Sequence, residues 1–435
     1  MTQTARRHDL DWLRVIAILL LHVYHTGMAF VTWSWHIKSD VLLPEIEMPM
    51  HMLSLFRMPL LFLISGVATT FVLRRRGAWG YLGERSRRLL LPLAFGMLVI
   101  VPPQVYFERL TQGISFASLT DFYATVLRLE SYPQGNFSWH HLWFVAYLFV
   151  FCLLLTPVFA WMRGESGKKR WQALQAGLSR PWVLASLGIP LVASQVILRP
   201  ISHNDHALVG DWVNLIYFGL LFFYGFLIGT AEDIWSTLAR LRHRLLGAAL
   251  LLTWPAWGMG LPWMPWRLIF LYCFGWIVLL AVLGYAYRHL NRPNRVIRYA
   301  NQGIYPFYIL HQTAIVWLAF YLLPLPLSVW TRFFLLMAAS FLASWLAYEF
   351  LIRRSNLLRP FFGMKPKTNS APSPDISGSA PIGRQTGSIR RLGQRPSFGR
   401  SSNARSARPP STASVNSESL RTSRIWWKSW VGPSS

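Results

Sequence analysis

The chain is divided into long apolar blocks, and the length of those blocks decides what it can fold into. Ten runs stand out, at 10–33, 50–73, 89–106, 141–162, 181–199, 211–231, 243–260, 266–287, 303–323 and 327–352. Each is close to the roughly 20 residues that carry an α-helix across a bilayer. Backbone polar groups inside lipid must be satisfied within the segment, so such runs read as helices. The third, fifth and seventh contain proline or are short. With 53% hydrophobic and only 14% charged residues, the chain is predicted to be an all-α integral membrane protein of about ten spans. The first run is long and is followed by no small-residue cleavage site, which argues against a cleaved signal peptide.

The charges orient the spans. Arginines and lysines crowd every second loop: Arg6 and Arg7; Arg74 to Arg76 with Arg85, Arg87 and Arg88; Lys168, Lys169 and Arg170; Arg240, Arg242 and Arg244; Arg288, Arg292, Arg295 and Arg298; Arg353 and Arg354. The alternate loops hold scattered basic residues and acids such as Asp40, Glu45, Glu47 and Asp205. By the positive-inside rule, both termini are expected in the cytoplasm. The formal charge of +26 therefore reflects topology rather than a nucleic-acid partner. Twelve of the 43 basic residues lie after residue 360, in a Ser-, Arg- and Pro-rich segment too polar to bury a core. The chain is read as a membrane domain over 1–358 and a basic, disordered cytoplasmic tail over 359–435. Cys152 and Cys273 both fall inside apolar runs, so neither a disulfide framework nor a thiolate metal site is expected, and no metal is assigned.

The first run keeps ionisable residues that lipid would exclude. On a helix, Arg14 and His25 are eleven residues apart, about 20° off a shared face and about 16 Å along the axis. Asp11 lies one turn from Arg14, near enough to pair with it. His22 is rotated about 80° from Arg14 and is expected to make an ordinary helix contact. Charged groups within a span face a bundle interior or a wet cavity, so Asp11, Arg14 and His25 are the first candidate site residues.

Five stretches together resemble the membrane acyltransferase-3 family. In "LDWLRVIAILLLHVYH", Arg14 and His25 match its Arg, ten residues, His signature. "FRMPLLFLISG" (56–66) resembles its second helix. "RSRRLLLP" (85–92) fits its Arg–x–x–Arg at Arg85 and Arg88. "HLWFVAYL" (141–148) and "YPFYILHQT" (305–313) resemble two later segments. The matches run from about residue 8 to 355. The forms of the second and third stretches are similar to a branch that modifies periplasmic glucan with succinyl groups.

The resemblance implies acyl transfer from a cytoplasmic acyl-CoA (acetyl-CoA or succinyl-CoA) to a hydroxyl of a cell-envelope or periplasmic carbohydrate, in the bacterial inner membrane. Arg85 and Arg88 suit donor phosphates, because guanidinium binds phosphate through charge-assisted bidentate bonds; a basic loop also has a plain topological reading. Histidine suits the task of taking a proton from a hydroxyl near neutral pH. His25 is the candidate base, and an acyl-histidine route on the same residue stays open. Arg14 and Asp11 would support it. His141, Trp143, Tyr305 and His311 are candidate contacts for the sugar, with His311 equally readable as a core hydrogen-bonding residue. Glu349 is expected to pair with a neighbouring arginine. The competing class is a transporter or flippase of an envelope glycan or lipid, which would also bury polar groups among its spans. The sequence leaves oligomeric state open, a homo-oligomer included.

Overall fold

The computed structural model describes residues 6–203, 205–229, 231–258 and 265–367. Everything regular in them is helical. An isolated bridge between Ser131 and Phe137 is the nearest approach to a strand among the described residues. The helices are α1 (His8–Met28), α2 (Glu47–Arg75), α3 (Ala78–Phe95), α4 (Pro102–Thr111), α5 (Leu119–Val126), α6 (Trp143–Arg163), α7 (Glu165–Leu178), α8 (Pro181–Ser186), α9 (Gly188–Leu198), α10 (Trp212–Gly229), α11 (Glu232–Thr253), α12 (Pro265–His289), α13 (Arg295–Leu322) and α14 (Val329–Leu346).

Eight helical stretches among the described residues are long and apolar enough to cross a membrane. They correspond to eight of the ten predicted runs, with α3 and α4 joined through a π-helical turn into one stretch, Ala78–Thr111. The first and seventh runs are also helices, but they fall short of that standard for a physical reason. Their starts are charged: α1 opens with Asp9, Asp11 and Arg14, and α11 carries Glu232, Asp233, Arg240, Arg242 and Arg244. Large apolar side chains such as Leu154, Ile189, Leu251 and Phe334 are exposed on the outside of the bundle, as expected of a surface facing lipid chains.

Successive passes bring the basic loops to one end. There the Arg7 guanidinium lies 3.9 Å from the ring centre of Trp235 near the start of α11. The His8 amide donates to Asn291 beyond α12, and Arg163 at the end of α6 donates to the Leu73 carbonyl at the end of α2. The opposite end is built from loops. Buried Arg332 ties α14 to Asp40, Lys38 donates to the carbonyls of Met28, Val31 and Trp33, and Glu108 pairs with His36.

At the centre α2 packs on α10 through glycine. A Cβ built on Gly66 would lie 2.0 Å from the Phe222 carbonyl oxygen, and one on Gly225 would lie 1.9 Å from that of Leu63. Only glycine permits this approach, the small-residue contact that membrane helices use in place of a hydrophobic drive. Phe361 and Phe362, beyond the last long helix, pack on Phe95 of α3, and the described residues up to Lys367 form one compact unit. The basic tail from 368 onward lies outside the described residues.

Candidate active site

Two groups of polar residues lie at opposite ends of α1. At the basic end, Arg14 donates to Asn301 of α13 at 3.0 Å and stands 3.7 Å from Asp11. Asn301 returns a hydrogen bond to Asp11 at 2.9 Å, and Arg6 reaches the other Asp11 oxygen at 2.7 Å. The expected Asp11–Arg14 pair is thus part of a closed network joining α1 to α13. Arg85 and Arg88 lie near enough for their charges to act on Arg14. Arg88 is half-exposed and 3.9 Å from Glu84. The Tyr305 hydroxyl lies 3.4 Å from the Arg88 carbonyl. Tyr305 therefore belongs to this end and not with His311. Glu349 pairs with Arg353 at 2.6 Å.

At the far end of α1, His25 lines a cavity of about 390 Å³. Tyr24, Arg57, His141, Trp143, Arg199 and His206 line it too. Behind His25 stands His311 of α13, with His25 Nδ1 2.9 Å from His311 Nε2. His311 Nδ1 is 2.6 Å from the Tyr308 carbonyl oxygen. A carbonyl only accepts, so His311 Nδ1 carries the hydrogen and its Nε2 presents a lone pair. His25 Nδ1 must then donate, which leaves the Nε2 of His25 as a free acceptor. The chain of three groups fixes the tautomer of a residue on the cavity wall.

His22 faces elsewhere. It is buried, its Nε2 donates to the Met337 carbonyl at 3.1 Å, and it packs against Phe307 and Phe341. His141 Nε2 donates to the Ile309 carbonyl at 3.0 Å, and the Tyr308 hydroxyl donates to the His141 carbonyl at 2.5 Å. Trp143 lies against His206 with ring centres 4.1 Å apart and planes tilted by 37°. Burial pushes the His206 imidazole down to about 4, against the pull of Asp211, so this wall residue is neutral at physiological pH. Asp211 itself is occupied by Tyr147, the His206 amide and Asn214.

Of the residues singled out from sequence, His25, His141 and Trp143 meet at the cavity, with His311 behind. Asp11, Arg14, Arg85, Arg88 and Tyr305 gather at the basic end. Sequence reasoning passed over Arg57, although an arginine inside the apolar run of "FRMPLLFLISG" is itself a signal. It also passed over Asn301, Tyr308, Arg199 and His206, whose places depend on contacts between distant helices. Among the described residues, one set of side chains has metal-ligand character: one ligand atom each from His36, Glu108 and His140 lie within 4.8 Å of one another. Its hydrogen bonds explain most of it. Glu108 accepts from His36 at 2.8 Å and from Tyr132 at 2.7 Å, and His36 Nε2 lies 3.1 Å from the Gln312 amide.

A bundle with eight helical stretches long and apolar enough to cross a membrane, among the described residues, is the fold of a multi-pass membrane protein. Residues 7–349 match the acyltransferase domain family designated Acyl_transf_3, and the chain belongs to that family. Among curated proteins it is similar to "Glucans biosynthesis protein C" of Salmonella schwarzengrund (strain CVM19633) and of Salmonella typhi. Each is 26% identical over 230 residues, covering 51% of this chain and 57% of the relative. The chain thus spans little more than half the length of the curated relatives it matches. The protein of the same name from Salmonella paratyphi B (strain ATCC BAA-1250 / SPB7) is 24% identical over 170 residues, 38% of this chain and 42% of that protein. No solved structure matches.

Proposed function

We propose that this membrane acyltransferase moves an acyl group, acetyl or succinyl, from acyl-CoA to a hydroxyl of a cell-envelope or periplasmic glucan, in the inner membrane of a bacterium. The basic end, facing the cytoplasm, takes the donor. Its phosphates are held by Arg85 and Arg88 through charge-assisted bonds. Asp11 and Asn301 fix Arg14 beside them. The pantetheine arm runs along α1, whose rise from Arg14 to His25 is about 16 Å, and brings the thioester to the cavity. The acceptor arrives from the opposite end, where Trp143 and His206 offer ring faces and His141 lines the wall.

One observation carries this reading: the Tyr308–His311–His25 chain leaves an unprotonated nitrogen on the cavity wall. As the sugar oxygen attacks the thioester carbonyl, His25 Nε2 takes the hydroxyl proton. The C–S bond then breaks and CoA leaves as the thiol, with the proton returned from His25. Such base catalysis typically contributes roughly 10²- to 10⁴-fold. The positive charge gained by His25 is stabilised by His311 Nε2, which accepts from it, while His311 keeps its own hydrogen on Nδ1 and donates it to the Tyr308 carbonyl. The same nitrogen could alternatively carry the acyl group as an acyl-imidazole, which intact mass after rapid quenching of a donor-only reaction would reveal.

The test is CoA thiol release by the purified protein in lipid nanodiscs, with acetyl-CoA or succinyl-CoA and a cyclic glucan. Release that depends on the glucan and labels it with the acyl group is the expected result. Glucan movement across vesicles without thioester loss would replace the enzyme with a transporter.

A further inference from the structure

The cavity beside His25 contains two guanidinium groups and no carboxylate. Arg57 is 7% exposed, and its Nε is buried with no hydrogen-bond partner. Arg199 donates to the Tyr272 hydroxyl at 3.1 Å, and its Nε is likewise buried and unpartnered. Neither takes part in any ion pair among the described residues, and no aspartate or glutamate lines the cavity. The other fully buried arginine among the described residues, Arg332, is neutralised by Asp40 at 2.5 Å, and half-buried Arg7 meets Asp9 at 2.6 Å. A desolvated charge without a counter-charge weakens a fold. One retained beside a reactive nitrogen points to a partner that arrives from outside.

The geometry suits an oxyanion. The Arg57 guanidinium carbon lies 3.4 Å from the ring centre of Tyr24, the residue next to His25. The ring covers one side of the guanidinium group. The N–H donors lie along the edge, where a carboxylate or phosphate binds in a two-pronged fashion. A field of one sign, inside low-dielectric walls, also draws anions in.

We infer that the cavity is an oxyanion site, in which Arg57, aided by Arg199, holds a carboxylate or phosphate on the molecule whose reacting atom lies at His25. Under the acyl-transfer reading, on which the catalytic part of this inference rests, the anion has two sources. It is the free carboxylate at the far end of a dicarboxylic acyl chain, or an anionic substituent on the acceptor sugar. In both cases Arg57 is a specificity-determining residue: it selects the charged substrate and places it against the base.

The experiment crosses two donors, acetyl-CoA and succinyl-CoA, with two acceptors, a neutral cyclic glucan and the same glucan bearing phosphate substituents. The readout is the ratio of kcat/KM for the charged partner over the neutral one. The wild type should favour a charged partner by at least about tenfold, the effect of one charge-assisted contact. The arm with the preference identifies the source. In Arg57→Gln the ratio should fall towards one, whatever the absolute rate, and Arg57→Lys should restore part of it. A ratio near one in the wild type on both arms would overturn the inference and leave acyl transfer standing. Binding of succinate and of inorganic phosphate, followed through tryptophan fluorescence, needs no turnover and no variant. Saturable quenching by either, unmatched by neutral succinamide, is expected, and its absence for both anions would overturn the site even if Arg57→Gln fails to fold. Anion binding lost in Arg57→Gln, in a protein that transfers no acyl group, would preserve the site and sink the enzymatic reading.

Discussion

The two ends of α1 treat charge in opposite ways. At the basic end Arg14 is locked to Asp11 and Asn301, and Arg88 stands near Glu84 and open to solvent. At the cavity end Arg57 is enclosed and Arg199 half-buried, both without an acid, and His25 offers a lone pair. A network closed on itself gains rigidity and presents its spare charge at the surface. An open one holds its hydrogen-bonding capacity in reserve for a ligand. The difference suggests a division of labour, with holding at the first end and reaction at the second.

The strongest challenge to that division is all-or-none. Reporter fusions after Asn136 and Asp205 should read as outside and one after Lys168 as inside; any reversal would place the two ends on the wrong sides of the membrane. Next in size, His25→Ala should lower the transfer rate by roughly 10²- to 10⁴-fold with the Michaelis constant for acyl-CoA little changed, while His22→Ala keeps most activity. Equal losses from the two, with normal expression, would dissolve the distinction between them. The converse holds at the basic end. Arg85→Ala/Arg88→Ala should raise the Michaelis constant for acyl-CoA, each lost contact weakening binding by about 1.5 to 3 kcal/mol, and an unchanged constant would reduce both arginines to topology signals. A control on the scaffold is Gly66→Ala, expected to cost about 1–3 kcal/mol by overpacking and to lower the melting temperature. Gly83→Ala at the basic end meets open space and should melt like the wild type.

The smallest effect lies outside both ends of α1. The hydrogen bond from Arg332 holds the Asp40 carboxyl below the usual carboxylate range. Its contribution to stability is therefore present above the ordinary carboxylate pKa and is lost as pH falls through the lowered value. Melting curves at pH 7 and pH 3 should show a slight acid sensitivity that Asp40→Asn removes, small because the Asp40 side chain is 71% exposed.

Much of this was legible in the sequence, and the remainder has a physical reason for being hidden. Helical periodicity separated His25 from His22, and the structure places them on a cavity wall and against α14 respectively. Loop charges located one end of the bundle. Spacing along α13 was less informative: Tyr305 and His311 are both candidate sugar contacts by sequence, yet Tyr305 reaches α3 while Tyr308, nearly one turn before His311, supplies the carbonyl that sets its tautomer. The His25–His311 contact joins residues 286 positions apart, and no local pattern encodes it. Arg57 stood inside a quoted motif. Its meaning lies in the absence of an acid nearby, and an absence in space cannot be read from a line of letters.

The glycine contact between α2 and α10 has a mechanical consequence. Where backbones touch at Gly66 and Gly225, the two helices have no compressible side-chain layer between them and cannot slide or part without breaking the seam. They behave as one stiff plate, bearing Arg57 on one helix and Asn214, Tyr217 and Phe218 on the other. A cavity with one wall so braced can admit a bulky acceptor only by yielding on its other sides. Any motion in turnover would then fall to α1, α13 and the loop around His206, the elements that carry the proposed base, its tautomer-setting partner and the ring against Trp143.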